Sequence, residues 1–406
     1  MQIGLERLAG SPRTLRRLRA QRVGLLSHAA AVDRRLAHAT DVLAELGVRL
    51  SLLFGPEHGW GAEAQDMASV GGGVHAETGL PLVSLYGETF DDLSPKAEHL
   101  AEIDVLVIDL TDVGSRYYTF VWTALLAQRA AQKAGVVTVV LDRPNPLGCA
   151  RATVEGATQK PGYLSFVGLE PLPVRHALTL GEIVCLFASR DGVPLGDAGG
   201  LSVVGVAGWE REQLAGAWDR PFVMPSPNMP TAATALVYPG GCLLEGTNLS
   251  EGRGTTRPFE LVGAPWLDER ALARALTETT LPGFIARPAS FRPMFQKHAG
   301  EICRGVEVHV TDPSTFRPVA TYAALVAAAH AQSPEQFRFR TERYEYVDTI
   351  PAFDLLTGSA DCRHAIALGD APGDVAEAVS RPDPEYAAVM AEARAAMQMA
   401  DPVSGF

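Results

Sequence analysis

Four unbroken apolar runs, Arg22–Leu26, Val48–Phe54, Val105–Leu110 and Val136–Leu141, punctuate the first third of the chain. A strand wetted on one face alternates apolar and polar residues. A run without alternation is what a strand covered on both faces requires. Between the runs, Asp33–Leu46 and Tyr117–Ala134 carry Leu and Ala at three- and four-residue spacing, which predicts helices. Strand and helix in alternation predict an α/β fold built on a Rossmann-like, doubly wound parallel sheet.

Further along, Thr179-Leu-Gly-Glu182 is a capping-box pattern opening a helix over Gly181–Arg190, and a strand at Leu201–Val206 closes the unit. Pro221–Pro230 has four prolines in ten residues, too many for a regular helix or a central strand. The predicted division is therefore a Rossmann-like catalytic domain, 1–225, and a smaller α/β domain, 226–406, with the active-site cleft between them. In the second domain, strands are expected near Gly305–Val310 and Phe337–Arg340, and helices near Pro318–Ala331 and Asp374–Met399.

Composition narrows the partners. With 47% apolar and 20% charged residues the chain has the balance of a folded globular protein. Its net charge of −12 repels a polyphosphate backbone, and Arg13, Arg16, Arg17, Arg19 and Arg22 read as the solvated face of a first helix. Nucleic acid is not an expected partner. The five cysteines (149, 185, 242, 303, 362) are far apart, odd in number and without a C-x-x-C pair, as in a reducing compartment. No stretch approaches the ~18 apolar residues of a membrane span, and the N-terminus lacks the apolar core of a signal peptide. A cytoplasmic location is the expectation.

Several chemistries lack their motif. No P-loop occurs, no G-x-G-x-x-G follows the first strand, and neither G-x-S-x-G nor H-E-x-x-H is present. The ten histidines suggest no metal set; Glu307 and His309 read as one polar face of a strand. What remains lies where a doubly wound sheet carries its sites, at the carboxyl ends of the strands. Phe54-Gly-Pro-Glu-His-Gly-Trp60 holds Glu57 and His58 in a stiff turn, with Trp60 as an aromatic surface and Glu63 and Asp66 within reach. Asp109–Trp122 offers Asp112 and Arg116 in its loop, Asp112 equally readable as a helix N-cap, while Tyr117, Tyr118 and Trp122 have the spacing of core residues. Asp109, inside its strand, is a candidate partner for Arg143. The third segment, Glu245–Arg257, sets Glu251 and Arg253 among glycines and hydroxyls, able to face the first domain across a cleft.

Together these segments resemble the family of exo-acting β-N-acetylmuramidases. The likeness rests on FGPEHG (54–59), DVGSRYYT (112–119), LDRPNPLG (141–148), SFVGLEPLPVRH (165–176), MPSPNMPT (224–231), LEGTNLSEGRGTT (244–256) and FDLLTGS (353–359). It implies release of N-acetylmuramic acid (MurNAc) from the non-reducing end of peptidoglycan fragments such as MurNAc-GlcNAc, without metal or organic cofactor. It also implies that Glu57 is the catalytic acid. His58, Glu63, Asp112 and Glu251 are the other catalytic candidates. The substrate-binding candidates are Trp60, Arg116, Tyr117, Asp142, Arg143, Asn145, Arg175, His176, Asn228, Asn248 and Arg253. Arg253, Arg116 or Arg175 is expected to hold the lactyl carboxylate. Where many members read GFRGEADAG this chain reads GWGAEAQDM (59–67), which keeps Glu63, and Cys149 stands where a second glycine is usual. A non-catalytic sugar-binding protein on the same scaffold, and more weakly a nucleotide-dependent enzyme, are the alternative readings.

Overall fold

The structure, a computed structural model, describes residues 1–401 apart from 66, 69, 70 and 198; Asp66 thus lies outside the described residues. The apolar runs become strands β1 (Val23–Ser27), β2 (Leu50–Gly55), β5 (Val105–Asp109) and β6 (Val137–Leu141). β7 (Leu201–Val204) flanks them, and every residue of β1, β5 and β7 is buried. Two short strands complete the sheet, β3 (Gly73–Val74) and β4 (Pro81–Ser84). The order is β3-β4-β2-β1-β5-β6-β7, parallel throughout except for β3 against β4. Chain order reverses between β1 and β5, so the loops after these strands flank a crevice, as in other doubly wound sheets.

Here the crevice is filled by the protein's own side chains. Asp109, fully buried at the end of β5, accepts from Arg143 Nε at 2.5 Å and from the other guanidinium arm at 2.9 Å. Arg143 also donates to the Val32 carbonyl, and Thr111 N–H donates to Nε2 of the buried His28. The sequence pairing of Asp109 with Arg143 is therefore observed. It also gives Arg143 a packing role, away from the cavities described below.

Helix boundaries moved where side chains competed for the backbone. The first predicted helix begins only at Ala39, because Asp33 accepts from the N–H groups of Arg35 and Ala37, and the His38 ring caps Thr40 N–H. Helix Phe120–Lys133 starts three residues late, after a turn closed by Tyr118 N–H to Ser115 C=O. The capping box is as predicted: Thr179 Oγ1 accepts from Glu182 N–H and Glu182 Oε2 from Thr179 N–H, opening helix Leu180–Arg190.

In the second half, β8 (Leu261–Ala264), β9 (Phe284–Phe291) and β10 (Cys303–Val310) form a three-stranded antiparallel sheet ordered β8-β10-β9, backed by helix Glu269–Glu278, which in turn packs on helix Pro318–Gln332. Two expectations fail here. Phe337–Arg340 makes one bridge, Phe339 to Thr247, not a strand. The long helix 374–399 is two, Pro372–Ser380 and Tyr386–Ala400, because Pro382 and Pro384 cannot continue a helix. The second of these packs back on Leu180–Arg190, with Tyr386 O–H donating to His176 C=O at 2.8 Å. One apolar core thus runs from Leu26 to Ala400. Among the described residues no helix is long and apolar enough to cross a membrane.

The Asp109–Arg143 pair is dry enough for its loss to be costly. Arg143→Met strands a buried carboxylate, and a loss of about 3–5 kcal/mol is expected from urea unfolding. A variant within 1 kcal/mol of wild type would mean that water reaches the crevice.

Candidate active site

Glu57 follows β2 across Gly55-Pro56, and the next two residues turn the chain sharply. His58 (φ 68°) and Gly59 (φ 79°) are both left-handed, costly for the histidine and free for the glycine. His58 Nδ1 donates to Ala64 C=O at 2.8 Å, which closes the loop. Glu57 is thereby buried to 5% exposure, with Thr119 Oγ1 donating to Oε2 at 2.6 Å and Met67 N–H approaching Oε1 at 3.4 Å.

The wall facing it comes from the second half. Tyr344 and Val347 exchange backbone hydrogen bonds of 2.8 and 2.9 Å, and between them Glu345 (φ 45°) and Tyr346 (φ 69°) are both left-handed. Such a turn favours Asn-Gly, so two large residues there hold strain of about 1–3 kcal/mol each. Glu345 is left 5% exposed and accepts from Tyr86 O–H at 3.1 and 3.3 Å. Burial, with Glu57 and Glu345 nearby, pushes the Tyr86 hydroxyl far up, so it stays a donor.

Glu57 and Glu345 line one recess with His58, Tyr117, Tyr118, Thr119, Ser226, Asn228, Glu245, Arg253 and Tyr344. Its free volume is about 40 Å³, room for a water molecule but not a sugar. Glu245 also lines an adjoining chamber of about 580 Å³, with Met67, Asn248, Glu251, Lys297, Arg338, Phe339 and Arg340. That is ample for a hexosamine. Between the two, Glu245 accepts from Arg253 at 2.5 Å and from Tyr344 O–H at 2.7 Å. Glu251 accepts from Arg253 Nε at 2.8 Å and pairs with Lys297 at 2.8 Å. Burial pushes the Glu251 carboxyl up, but the two cations outweigh it and hold it below its usual range.

Of the sequence candidates, Glu57, His58, Tyr117, Asn228 and Arg253 meet at the recess, and Asn248 and Glu251 at the chamber. The others lie elsewhere. Arg116 is buried with its guanidinium on the carbonyls of Ala157, Leu172 and Leu356. Arg175 donates to Leu147 C=O, and Asn145 to Leu178 C=O. These three tie loops together. Asp142 caps helix Leu180–Arg190 through Gly181 N–H at 2.8 Å. Asp112 Oδ2 accepts from Gly114 N–H and lies 3.6 Å from His176 Nε2, where burial and Arg116 push the imidazole down to about 3. Trp60 packs between His38 and His75, with ring centroids 5.3 Å from each. Glu63 is exposed and lines neither cavity. Sequence reasoning missed Glu345, Tyr86, Glu245 and Lys297; the only local trace of the first is a Tyr-Glu-Tyr triplet in a polar stretch. Among the described residues no three His, Cys, Asp or Glu side chains are grouped to hold a metal ion.

Two buried carboxylates, contributed by the two halves of an α/β chain, line one recess that shares Glu245 with a sugar-sized chamber, an arrangement compatible with a glycoside hydrolase. Comparison with known proteins narrows that class. The N-terminal model of the exo-β-N-acetylmuramidase NamZ family matches residues 23–233 and the C-terminal model residues 236–393. A peptidoglycan β-N-acetylmuramidase NamZ from Bacillus subtilis (strain 168) is 40% identical over 370 residues, covering 91% of this chain and 85% of that one. The chain belongs to the exo-β-N-acetylmuramidase NamZ family. A crystal structure of a DUF1343 family protein from Bacteroides fragilis NCTC 9343 superposes with a TM-score of 0.81 at 28% identity, covering 97% of each chain. A second from the same strain shares the fold, with a TM-score of 0.71 at 24% identity, 98% of this chain and 99% of that one.

Burial also leaves a signature in solution. It pushes the carboxyls of Asp142 and Asp112 up to about 7. From about pH 4 to about pH 7 the folded chain therefore keeps protons that the unfolded chain has released, and their contribution to stability is lost as the pH rises through 7. Asp142→Asn keeps an acceptor for Gly181 N–H but cannot ionise. Its urea midpoint should gain on wild type between about pH 5 and about pH 8. A constant gap between the two midpoints would refute the shift at Asp142.

Proposed function

We propose that this chain hydrolyses the glycosidic bond that joins a terminal MurNAc to the rest of a peptidoglycan fragment, with Glu57 as general acid and Glu345 as the second carboxylate. The observation that carries the assignment is the shared recess: both groups are 5% exposed and line a space of about 40 Å³ beneath the chamber. The chamber receives the sugar, and the recess receives the atoms that react. Thr119 O–H occupies Glu57 Oε2, which leaves Oε1 to carry the proton for the departing oxygen. Glu345, fixed by Tyr86 O–H, is placed to take a proton from water, to attack, or to orient the N-acetyl group. The other carboxylates are less suited: Glu251 is committed to two cations, and Asp112 and Glu63 line neither cavity. Recycling of wall fragments inside the cell belongs to the same proposal, supported by five free, buried cysteines.

Two substitutions test the roles. Glu57→Gln keeps shape but cannot donate a proton, so turnover of MurNAc-GlcNAc should fall about 10²–10⁴-fold while the fold persists. The loss should shrink on the 4-nitrophenyl glycoside, whose leaving group needs little protonation. An equal loss on both would make Glu57 a nucleophile or a positioning group. Glu345→Gln should instead cost both substrates a similar, roughly hundredfold or larger factor. Near-normal turnover in that variant would remove Glu345 from the mechanism.

A further inference from the structure

The proposed substrate carries a carboxylate, and the arginines that the sequence offered for it are occupied. Arg116 and Arg175 sit inside the packing on backbone carbonyls. Arg253 is held by Glu251 and Glu245 and lies over the Phe259 ring, 5.3 Å from its centre. Lys297 has three N–H donors, and Leu244 C=O, Thr247 C=O and Glu251 take them at 2.7, 3.2 and 2.8 Å.

Two cations on the chamber wall differ from these. Neither Arg338 nor Arg340 has a carboxylate within 4.0 Å among the described residues, although the protein as a whole carries a net charge of −12. Each spends one arm on backbone: Arg338 donates to Phe337 C=O at 2.6 Å, and Arg340 to Arg343 C=O at 3.1 Å while lying 5.2 Å from the Tyr344 ring centre. Beyond long approaches of Arg338 to Pro334 C=O (3.5 Å) and of Arg340 to Met67 Sδ (3.7 Å), their other donors meet no partner among the described residues. The backbone beneath them is firm. Asn248 takes Arg338 N–H on its side-chain oxygen at 2.9 Å, and Arg340 N–H donates to Gly246 C=O at 2.9 Å. Arg338 and Arg340, on either side of Phe339, line the chamber from one stretch of chain.

We propose that Arg338 and Arg340 form a carboxylate-binding subsite on the outer wall of the chamber. It rests on the glycosidase reading above and adds which group of the ligand that wall recognises. The shared chemistry is a carboxylate borne by a muramyl sugar, either the lactyl group itself or the free carboxylates of a short peptide attached to it. A chamber of about 580 Å³ accommodates both. Guanidinium forks suit this work because they meet planar carboxylates with paired hydrogen bonds.

Calorimetric titration tests it on the full chain, with free MurNAc, its methyl ester, N-acetylmuramyl-L-alanyl-D-glutamate and the dimethyl ester of that peptide. Wild type should bind at least one acid about tenfold more tightly than its ester, and rising salt should erode the difference. Preference for MurNAc over its ester identifies the lactyl source; preference confined to the dipeptide pair identifies the peptide source. Arg338→Gln/Arg340→Gln should abolish the preference while leaving ester binding unchanged. The single variant Arg338→Gln, at an exposed side chain, should weaken it and guards against a folding defect in the double. No acid–ester preference in wild type, or one that survives both substitutions, overturns the proposal. Equal weakening toward acids and esters does so too. Failure of wild type to hydrolyse any MurNAc glycoside would instead defeat the parent reading, whatever the titrations give.

Discussion

The ion pair between Asp109 and Arg143 determines what this sheet can be used for. In a doubly wound sheet the reversal of strand order opens a crevice, and a cofactor phosphate normally lies there against a glycine-rich turn and a helix N-terminus. Here Asp109, Arg143, Thr111 and His28 occupy it, and the segment after β1 turns through Ala29–His38 before its helix begins. Burial and the neighbouring Arg143 hold the His28 imidazole neutral, far below its usual range, so it can accept from Thr111 N–H. The candidate site lies one strand over, at the end of β2. That strand leads into Glu57.

The same displacement explains why the site needs the second half of the chain. At a central crevice, loops from neighbouring strands face each other and can close a site by themselves. Glu57 lies nearer one side of the sheet, where the loop after β4 contributes Tyr86 and the opposite wall is supplied by Glu245, Tyr344 and Glu345. Two of the chain's left-handed non-glycine turns, His58 beside Glu57 and Glu345–Tyr346, each bring a carboxylate to the recess. The hydrogen bonds of Thr119 and Tyr86 hold the two acids once the backbone has aimed them.

The parallel sheet was legible in the sequence because burial on both faces removes polar residues from a strand, and four runs satisfied that condition. β4 escaped notice because Pro81–Ser84 is short and only half buried, so its residues resemble a loop. The turn that buries Glu57 was legible through its stiff Gly-Pro and glycine frame. Arg116 and Arg175 were misread for an understandable reason: an arginine among glycines and hydroxyls looks the same whether it meets a ligand or three backbone carbonyls. Glu345 was invisible. Its neighbours Arg343, Glu342 and Asp348 give the segment the look of solvated surface, and its burial arises from a contact with Tyr86, 259 positions away in the chain. Long-range burial of a polar group leaves no local pattern to read.

The two cavities divide the work between shape and charge. A recess with room for about one water cannot discriminate among sugars, since it meets only the atoms that react. On the proposed reading discrimination comes from the chamber, whose Glu245, Glu251 and Lys297 are neutralised together with Arg253 of the recess. A neutralised cluster contributes hydrogen bonds and position but little net field. On that proposal the chamber's electrostatic preference is set by Arg338 and Arg340, which outnumber Glu342, the remaining charged residue of its described lining. Such a pair can be tuned by single surface substitutions without disturbing the acids below, because the Asn248 and Gly246 contacts that fix its backbone do not pass through the recess. Changes in ligand preference should therefore arise at the chamber rim, while the Glu57 recess, closed by strain and burial, tolerates few alternatives.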